Sequence, residues 1–164
     1  MRKIKFRGYS KEFKKWVFGD LIHDSDGDLF IAKEKTIGKV AGGPYDTNSG
    51  IGWDDEYNYY DISVVEKLSV GQYVGLKDKN GTEIYEGDIV KEMDDLFVVC
   101  YIDREASYYA IPCNTKSIDE DCMRYKTPYE AFLNGCHCIE FDNLYDKQVV
   151  GNVYENPEML KEIK

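Results

Sequence analysis

Residues 71–90 constrain the fold of this chain more than any other segment, because turn-forming residues alternate there with short apolar runs. Asn80-Gly81 is the dipeptide that best tolerates the two positive φ angles of a type I′ turn, which joins antiparallel strands. Gly87-Asp88 marks a second turn, and Ile89-Val90 begins another strand. The segment therefore predicts closely spaced β-strands joined by tight turns.

Alternating apolar and charged residues near the N-terminus predict a β-hairpin, with strands over residues 4–9 and 16–22 and one buried face. Two apolar runs, 95–102 and 107–111, predict a second pair of strands joined by a short polar turn. Such strands recur at intervals of about 8–12 residues, which is typical of small barrels. We therefore expect a mainly β protein.

Helices are expected only as short pieces. Thr127 and Glu130 form a capping box around Pro128, which predicts a helix over residues 128–133. Asn156-Pro157 predicts a helical turn near the C-terminus.

Residues 41–58 are rich in glycine and acidic residues and predict a long loop. The strands on either side of it divide the chain into an N-terminal β region, residues 1–65, and a small-barrel domain, residues 66–164, that ends in a short helix. A chain of 164 residues buries enough apolar surface to fold without disulfides or metals.

The charge distribution is uneven along the sequence. The chain has a formal net charge of −10, yet residues 1–39 hold ten basic residues against six acidic ones. An acidic protein repels phosphate backbones on average, which argues against nucleic-acid binding over the whole surface. The asymmetry has three interpretations: differently solvated faces, a basic surface of one copy facing an acidic surface of the next, or a local nucleic-acid footprint.

Three stretches resemble the YopX family of bacteriophage and prophage proteins. Residues 72–81 followed by 84–90 resemble the family signature nearly letter for letter. The start, Ile4–Arg7 with Lys15-Trp16, resembles the opening of the family, and Gly151–Leu160 resembles its ending. The resemblance therefore brackets the whole chain.

This resemblance implies an SH3-type small β-barrel in the C-terminal part, an N-terminal β-hairpin or sheet region, and assembly into a multi-subunit ring. It also implies a phage or prophage origin and an unassigned molecular function, with no catalytic residues to transfer. The signature residues at the two turns are Asn80, Gly81, Gly87 and Asp88.

The cysteines predict reduced thiols, since their number is odd and no secretion signal precedes them. They are Cys100, Cys113, Cys122, Cys136 and Cys138. The last four lack the paired short spacing of structural zinc ligands. Cys136 and Cys138 share one face of a predicted strand and suit apolar filling. We predict neither a metal nor a cofactor.

Other reactive residue types give no catalytic set. His23 and His137 are expected at the surface or at strand edges. Acidic pairs such as Asp54 with Asp55, or Asp119 with Asp121, are expected in solvated loops. The sequence therefore indicates a protein that is not an enzyme.

Basic and aromatic residues interleave in the N-terminal hairpin. The basic residues are Arg7, Lys11, Lys14 and Lys15, and the aromatic ones are Phe6, Tyr9, Phe13 and Trp16. This pattern is typical of single-stranded nucleic-acid binding by small barrels. It is also the pattern of a hairpin with a buried aromatic face and a wet basic face, which binary patterning favours.

We expect a phage or prophage accessory protein that acts as an oligomeric protein-interaction module and binds a host or phage protein. Single-stranded nucleic-acid binding through the basic hairpin is the alternative. No apolar run is long enough to span a membrane, so we expect a cytoplasmic protein of the host cell.

Overall fold

The computed structural model describes residues 3–36, 58–114 and 138–160, and in these the chain is mainly β. Eleven strands form two antiparallel sheets. They are β1 (Phe6–Ser10), β2 (Lys15–His23), β3 (Leu29–Thr36), β4 (Asn58–Val64), β5 (Gly71–Lys77), β6 (Glu83–Tyr85), β7 (Asp88–Glu92), β8 (Asp95–Ile102), β9 (Ser107–Asn114), β10 (Ile139–Glu140) and β11 (Gln148–Asn152).

The first sheet has six strands in the order β4-β3-β2-β1-β5-β6. Strands β1 and β2 form the predicted N-terminal hairpin, in which Tyr9 lies opposite Trp16. On its other edge β1 pairs with β5, where Phe6 lies opposite Gln72. The N-terminal region is therefore joined by backbone hydrogen bonds to the segment that follows residue 66, and the domain boundary at residues 65 and 66 stays a prediction.

The second sheet has five strands in the order β10-β9-β8-β7-β11. Strands β8 and β9 confirm the predicted pair, and Ala106, with φ of +48°, lies in the turn between them. The pairings of the described strands leave both sheets open. The SH3-type closure of the C-terminal part is therefore not confirmed.

The largest buried cluster among the described residues lies where β5 and β6 pack across the five-stranded sheet. Its members are Val74, Ile84, Val90, Phe97, Val99, Tyr108, Ala110, Ile139 and Leu144. A smaller cluster, formed by Leu29, Ile31 and Val65, supports the N-terminal strands. A fully buried side chain of this size contributes about 1.5–3 kcal/mol, so most of the described apolar stabilisation lies in the C-terminal part.

The Asn80-Gly81 turn differs from the predicted type I′ geometry. Gly81 has φ of +85°, but Asn80 does not adopt a positive φ. The Gly81 N–H donates to the Asp78 carbonyl at 2.9 Å, and the Asp78 N–H donates to the Thr82 carbonyl at 2.8 Å. This arrangement corresponds to a three-residue hairpin loop that ends in a left-handed glycine. The side chain of Asp78, two positions before Asn80, favours this loop geometry.

Several predictions fall on residues that the structure does not describe. These are the helix over residues 128–133, nearly all of the loop over residues 41–58, and the positions of Cys122, Cys136 and His137. The C-terminal helical turn is present as a short 3-10 helix, Pro157–Leu160. Among the described residues, no helix is both long and apolar enough to cross a bilayer.

Candidate binding cleft between the sheets

A buried ion pair joins the two sheets. Arg7 lies on β1 and Asp88 begins β7, and Arg7 Nη1 is 2.6 Å from Asp88 Oδ1. Asp88 is 1% exposed, and its Oδ2 accepts a hydrogen bond from the Tyr85 N–H at 2.8 Å. Burial raises the pKa of Asp88, and the Arg7 guanidinium offsets part of that rise.

Aromatic rings and one backbone carbonyl fix the Arg7 guanidinium. Its central carbon lies 4.9 Å from the centroid of Trp16 and 5.0 Å from that of Tyr85. Arg7 Nη2 donates to the Glu86 carbonyl at 3.3 Å. Within the described part of the chain, the buried Nε has no hydrogen-bond acceptor. A buried donor without an acceptor is costly, so this N–H adds to the cost of burying Arg7.

A cavity of about 250 Å³ opens beside Arg7. Its walls come from elements far apart in the sequence. Trp16 lies on β2, Leu68 lies in a 3-10 turn before β5, Val99 lies on β8, and Tyr154 follows β11. The cavity therefore exists only when both sheets are packed together. We name it the Arg7 cleft.

Three aromatic rings form one wall of the Arg7 cleft and its support. The ring centroids of Tyr9, Trp16 and Tyr154 are 5.5–5.9 Å apart, and Trp16 meets both tyrosines. Rings at this spacing attract one another by about 0.5–1.5 kcal/mol per pair beyond their burial. The N-terminal hairpin is thereby held against the end of β11.

Two titratable groups that line the Arg7 cleft, Cys100 and Glu86, have raised pKa values. Burial raises the pKa of the Cys100 thiol to about 12, and its Sγ donates to the Tyr109 carbonyl at 3.8 Å. Burial also raises the pKa of Glu86. A nucleophilic cysteine needs a depressed pKa, which is the opposite shift. The Ser69 hydroxyl donates to the Glu66 carbonyl and accepts from the Tyr9 N–H.

The structure separates the four basic residues that the sequence grouped. Arg7 is 9% exposed and forms the floor of the cleft. Lys11 is exposed and its Nζ lies 2.7 Å from Glu66 Oε1. Lys14 is exposed at the hairpin turn with φ of +50°, and Lys15 Nζ lies 5.4 Å from the centroid of Phe13. The three lysines thus lie at or beside the exposed turn, and Arg7 does not.

The signature turn residues also fall into two places. Gly87 lines the Arg7 cleft, and Asp88 forms the ion pair with the Arg7 guanidinium. Asn80 and Gly81 form an exposed turn elsewhere. Gly87 has φ of +81°, and its N–H donates to the Val99 carbonyl at 2.8 Å. Half of the signature therefore belongs to the cleft and half to a hairpin turn.

The lining residues that had no functional prediction from sequence include Leu68, Val99 and Tyr154. Leu68 is 87% exposed, which is unusual for leucine and marks an apolar lip. Trp16 was expected either on the hairpin's buried face or among the aromatic residues of a nucleic-acid site. Its position next to Arg7 depends on packing between distant strands, for which the local sequence gives no signal.

The prediction that the protein binds no metal is addressed only for the described residues. Among the residues that the structure describes, no three histidines, cysteines or acids lie close enough to hold an ion. Cys138 packs beside Ile102 and Ile111, and burial raises the pKa of its thiol to about 11. Cys122 and Cys136 lie outside the described residues, so the prediction of no metal is untested for the full cysteine set.

A family model described as YopX protein matches residues 5–161. No curated protein matches the chain. Among solved structures, the chain is similar to the crystal structure of protein EF1440 from Enterococcus faecalis. The identity is 18%, the TM-score is 0.47, and the similarity covers 98% of this chain and 100% of that one.

Proposed function

Because the chain belongs to the YopX family, we propose that it is a non-enzymatic interaction module of phage or prophage origin that assembles into an oligomer and binds a host or phage protein. The Arg7 cleft carries the proposal. It offers aromatic walls, an exposed leucine lip and a fixed guanidinium, and the pKa values of its Cys100 and Glu86 are raised. The cytoplasm of the host cell is the proposed location.

The size of the Arg7 cleft favours a side chain as its occupant. Pockets for cofactors and drug-sized ligands have volumes of about 300–1,000 Å³. The cleft, at about 250 Å³, is below that range. Anchor residues at protein interfaces fill small, desolvated pockets near the centre of the contact. We therefore propose that the cleft receives one apolar side chain of another protein chain.

A second group of exposed apolar side chains lies on the N-terminal strands, on the face of the sheet that also holds Arg7 and Trp16. Phe18, Ile22, Ile62 and Val64 are each 40–55% exposed. Ile22 and Val64 lie opposite Phe30 on either side of β3, so the apolar residues share one face. Apolar side chains grouped in this way on a sheet mark an interaction surface. This face supports association with other protein chains.

The proposal also includes the fold of the C-terminal part. We propose an SH3-type small barrel for residues 66–164, because β5 and β6 pack across the five-stranded sheet as the walls of a partly open barrel do.

Light scattering and sedimentation over a range of protein concentrations test the assembly. We expect a mass above the 19.0 kDa of one chain, falling at high salt because the charge asymmetry contributes to the contact. Leu68→Glu places a charge at the lip of the cleft and should lower the mass. Tyr145→Glu is the matched control, since Tyr145 is also exposed and does not line the cleft. A mass of 19.0 kDa under every condition would contradict the proposal.

Single-stranded nucleic-acid binding is the second candidate, and the exposed hairpin turn favours it. Phe13 is 51% exposed and carries the Lys15 ammonium over its ring, which combines a stacking surface with a positive charge. Arg7, Lys11 and Lys14 complete the proposed basic site, with Arg7 buried behind the other residues.

A fluorescence titration with a labelled oligonucleotide tests this candidate. The variant is Lys14→Glu with Lys15→Glu, and Arg7 is left intact because it holds the fold. Lys79→Glu with Lys91→Glu makes the same charge change at exposed positions elsewhere. If both double variants weakened binding equally, the loss would reflect net charge alone and would contradict the site assignment.

A further inference from the structure

The Asn80-Gly81 turn presents a chemically labile dipeptide at the surface, apart from the Arg7 cleft. Both residues are exposed. A Cβ atom added to Gly81 would meet none of the described atoms within 4 Å, so the space beside this peptide bond is open. Asparagine is one of the thermolabile residues of proteins, and a following glycine leaves its side chain the most room to react with the backbone. The dipeptide is therefore a candidate for covalent change.

We propose that Asn80 is a site of spontaneous deamidation and that opening of its turn sets the rate. The Gly81 backbone nitrogen loses its proton to the solvent and attacks the side-chain carbon Cγ of Asn80. The bond from Cγ to Nδ2 breaks, which releases ammonia and leaves a cyclic imide. Water then opens the imide at one of its two carbonyls. One water is consumed for each ammonia released, and the product is an aspartate or an isoaspartate.

The hydrogen bonds within the turn oppose this attack. The Gly81 N–H donates to the Asp78 carbonyl at 2.9 Å, and the Asn80 N–H donates to Asp78 Oδ1 at 2.8 Å. The peptide units on both sides of Asn80 are therefore fixed. The Gly81 nitrogen must leave its acceptor before it reaches Cγ, so the reaction proceeds from a locally opened turn.

Two further bonds anchor this turn to the segment around β11. The Lys79 N–H donates to the Lys147 carbonyl, and the Val149 N–H donates to Asp78 Oδ2, each at 3.0 Å. Each bond adds to the free energy of opening and slows the reaction. In an isoaspartate the main chain runs through Cβ and Cγ, which lengthens the loop and misplaces the N–H groups that Asp78 accepts. Deamidation therefore loosens the turn from β11.

The Asp24–Asp28 turn offers a comparison within the same chain, because it has the same local bonds without the anchors. The Asp26 N–H donates to Asp24 Oδ1 at 3.0 Å, and the Gly27 N–H donates to the Asp24 carbonyl at 3.3 Å. Within the described ranges, the Asp24 carboxylate accepts only from Asp26 and Asp28. The variant Asp26→Asn places an Asn-Gly dipeptide in this exposed turn and should leave the fold unchanged.

Peptide mapping by mass spectrometry tests the site, after incubation in mildly alkaline buffer and digestion at low pH. It follows conversion at Asn80 separately from Asn134, which also precedes a glycine. The same chain unfolded in urea gives the rate without the turn. Native Asn80 should react about ten to a hundredfold more slowly than in urea. Asp78→Ala should remove most of that protection.

The Asp26→Asn chain decides the role of the anchors, because both dipeptides are then measured in one molecule. Position 26 should convert roughly tenfold faster than Asn80. Equal rates at the two positions would overturn the role of the bonds to Lys147 and Val149. A native wild type without conversion at Asn80, over a period in which the unfolded chain converts fully, would overturn the site itself. If circular dichroism shows Asp78→Ala to be unfolded, the Asp26→Asn comparison still decides.

Discussion

The N-terminal strands and the C-terminal part use the same turn with different support. In Asp24–Asp28 and in Asp78–Thr82, the first aspartate accepts hydrogen bonds from the backbone N–H groups two and four positions on, at 2.8–3.0 Å. The glycines of the two turns have φ of +84° and +85°. Asp78, however, is buried, and its Oδ2 also accepts from the Val149 N–H at 3.0 Å.

The two turns therefore show that the local sequence decides the shape of a loop. The tertiary environment decides how much that loop contributes to the stability of the fold. The contrast extends to the strands around them. The N-terminal strands expose several apolar side chains, whereas β5 and β6 pack across a fully buried cluster. Because the buried cluster gives most of the apolar stabilisation, we expect substitutions in the C-terminal part to cost more.

The largest effect should come from the residue that joins the two regions. Arg7→Met leaves the buried Asp88 carboxyl without its cation and should lower the free energy of unfolding by about 3–5 kcal/mol. Denaturant unfolding followed by tryptophan fluorescence measures it. Arg7→Met with Asp88→Asn keeps an acceptor for the Tyr85 N–H without the unpaired charge, so the double variant should lose less than the single one. A single variant within about 1 kcal/mol of wild type would contradict a joining role.

A matched pair of isoleucines compares the two regions directly. Ile84 is fully buried in the C-terminal cluster, and Ile62 is 55% exposed on the N-terminal strand β4. Ile84→Ala should lower the free energy of unfolding by about 2–5 kcal/mol, because it leaves a cavity. Ile62→Ala should change it by about 0.5 kcal/mol or less. Equal losses in denaturant unfolding would show that the exposed side of Ile62 is covered in solution.

The two aspartates test the comparison of the turns. Asp78→Ala leaves three backbone N–H groups without their acceptor and should cost about 1–3 kcal/mol. Asp24→Ala removes the same local bonds in an exposed turn, where water replaces them, and should cost clearly less. Thermal unfolding of both variants measures the difference. If Asp24→Ala cost as much as Asp78→Ala, the local bonds rather than the bond to Val149 would carry the effect.

The smallest effect is a change in the pH dependence of stability. Burial would raise the pKa of Asp78, but hydrogen bonds from Val149, Thr82 and Asn80 outweigh it and hold the pKa below its usual 3.8. The stabilisation is therefore complete above pH 3.8 and is lost as the pH falls through the lower folded-state pKa. Asp78→Asn should flatten the acid limb of the unfolding free energy against pH. An unchanged limb would rule out this role.

The sequence predicted the strands better than the site, for physical reasons. Alternating residues revealed the β1–β2 hairpin, because one face of it is buried against the rest of the protein. The same alternation placed Arg7 on a wet face. Arg7 is buried because β1 also pairs with β5 and meets Asp88 from β7, contacts that no local pattern encodes. The type I′ expectation for Asn80-Gly81 was wrong because it left out the side chain of Asp78.

The contact of Tyr154 with Tyr9 and Trp16 has a consequence for how the chain reaches its native state. Tyr9 and Trp16 lie near the start of the sequence and Tyr154 lies near its end. Strand β1 likewise pairs with β5, which is distant from it in the sequence. Folds rich in such distant contacts have high contact order and form slowly. During synthesis, the hairpin with Trp16 leaves the ribosome long before Tyr154 does. The nascent chain therefore exposes two of the three rings of this cluster until Tyr154 is synthesised.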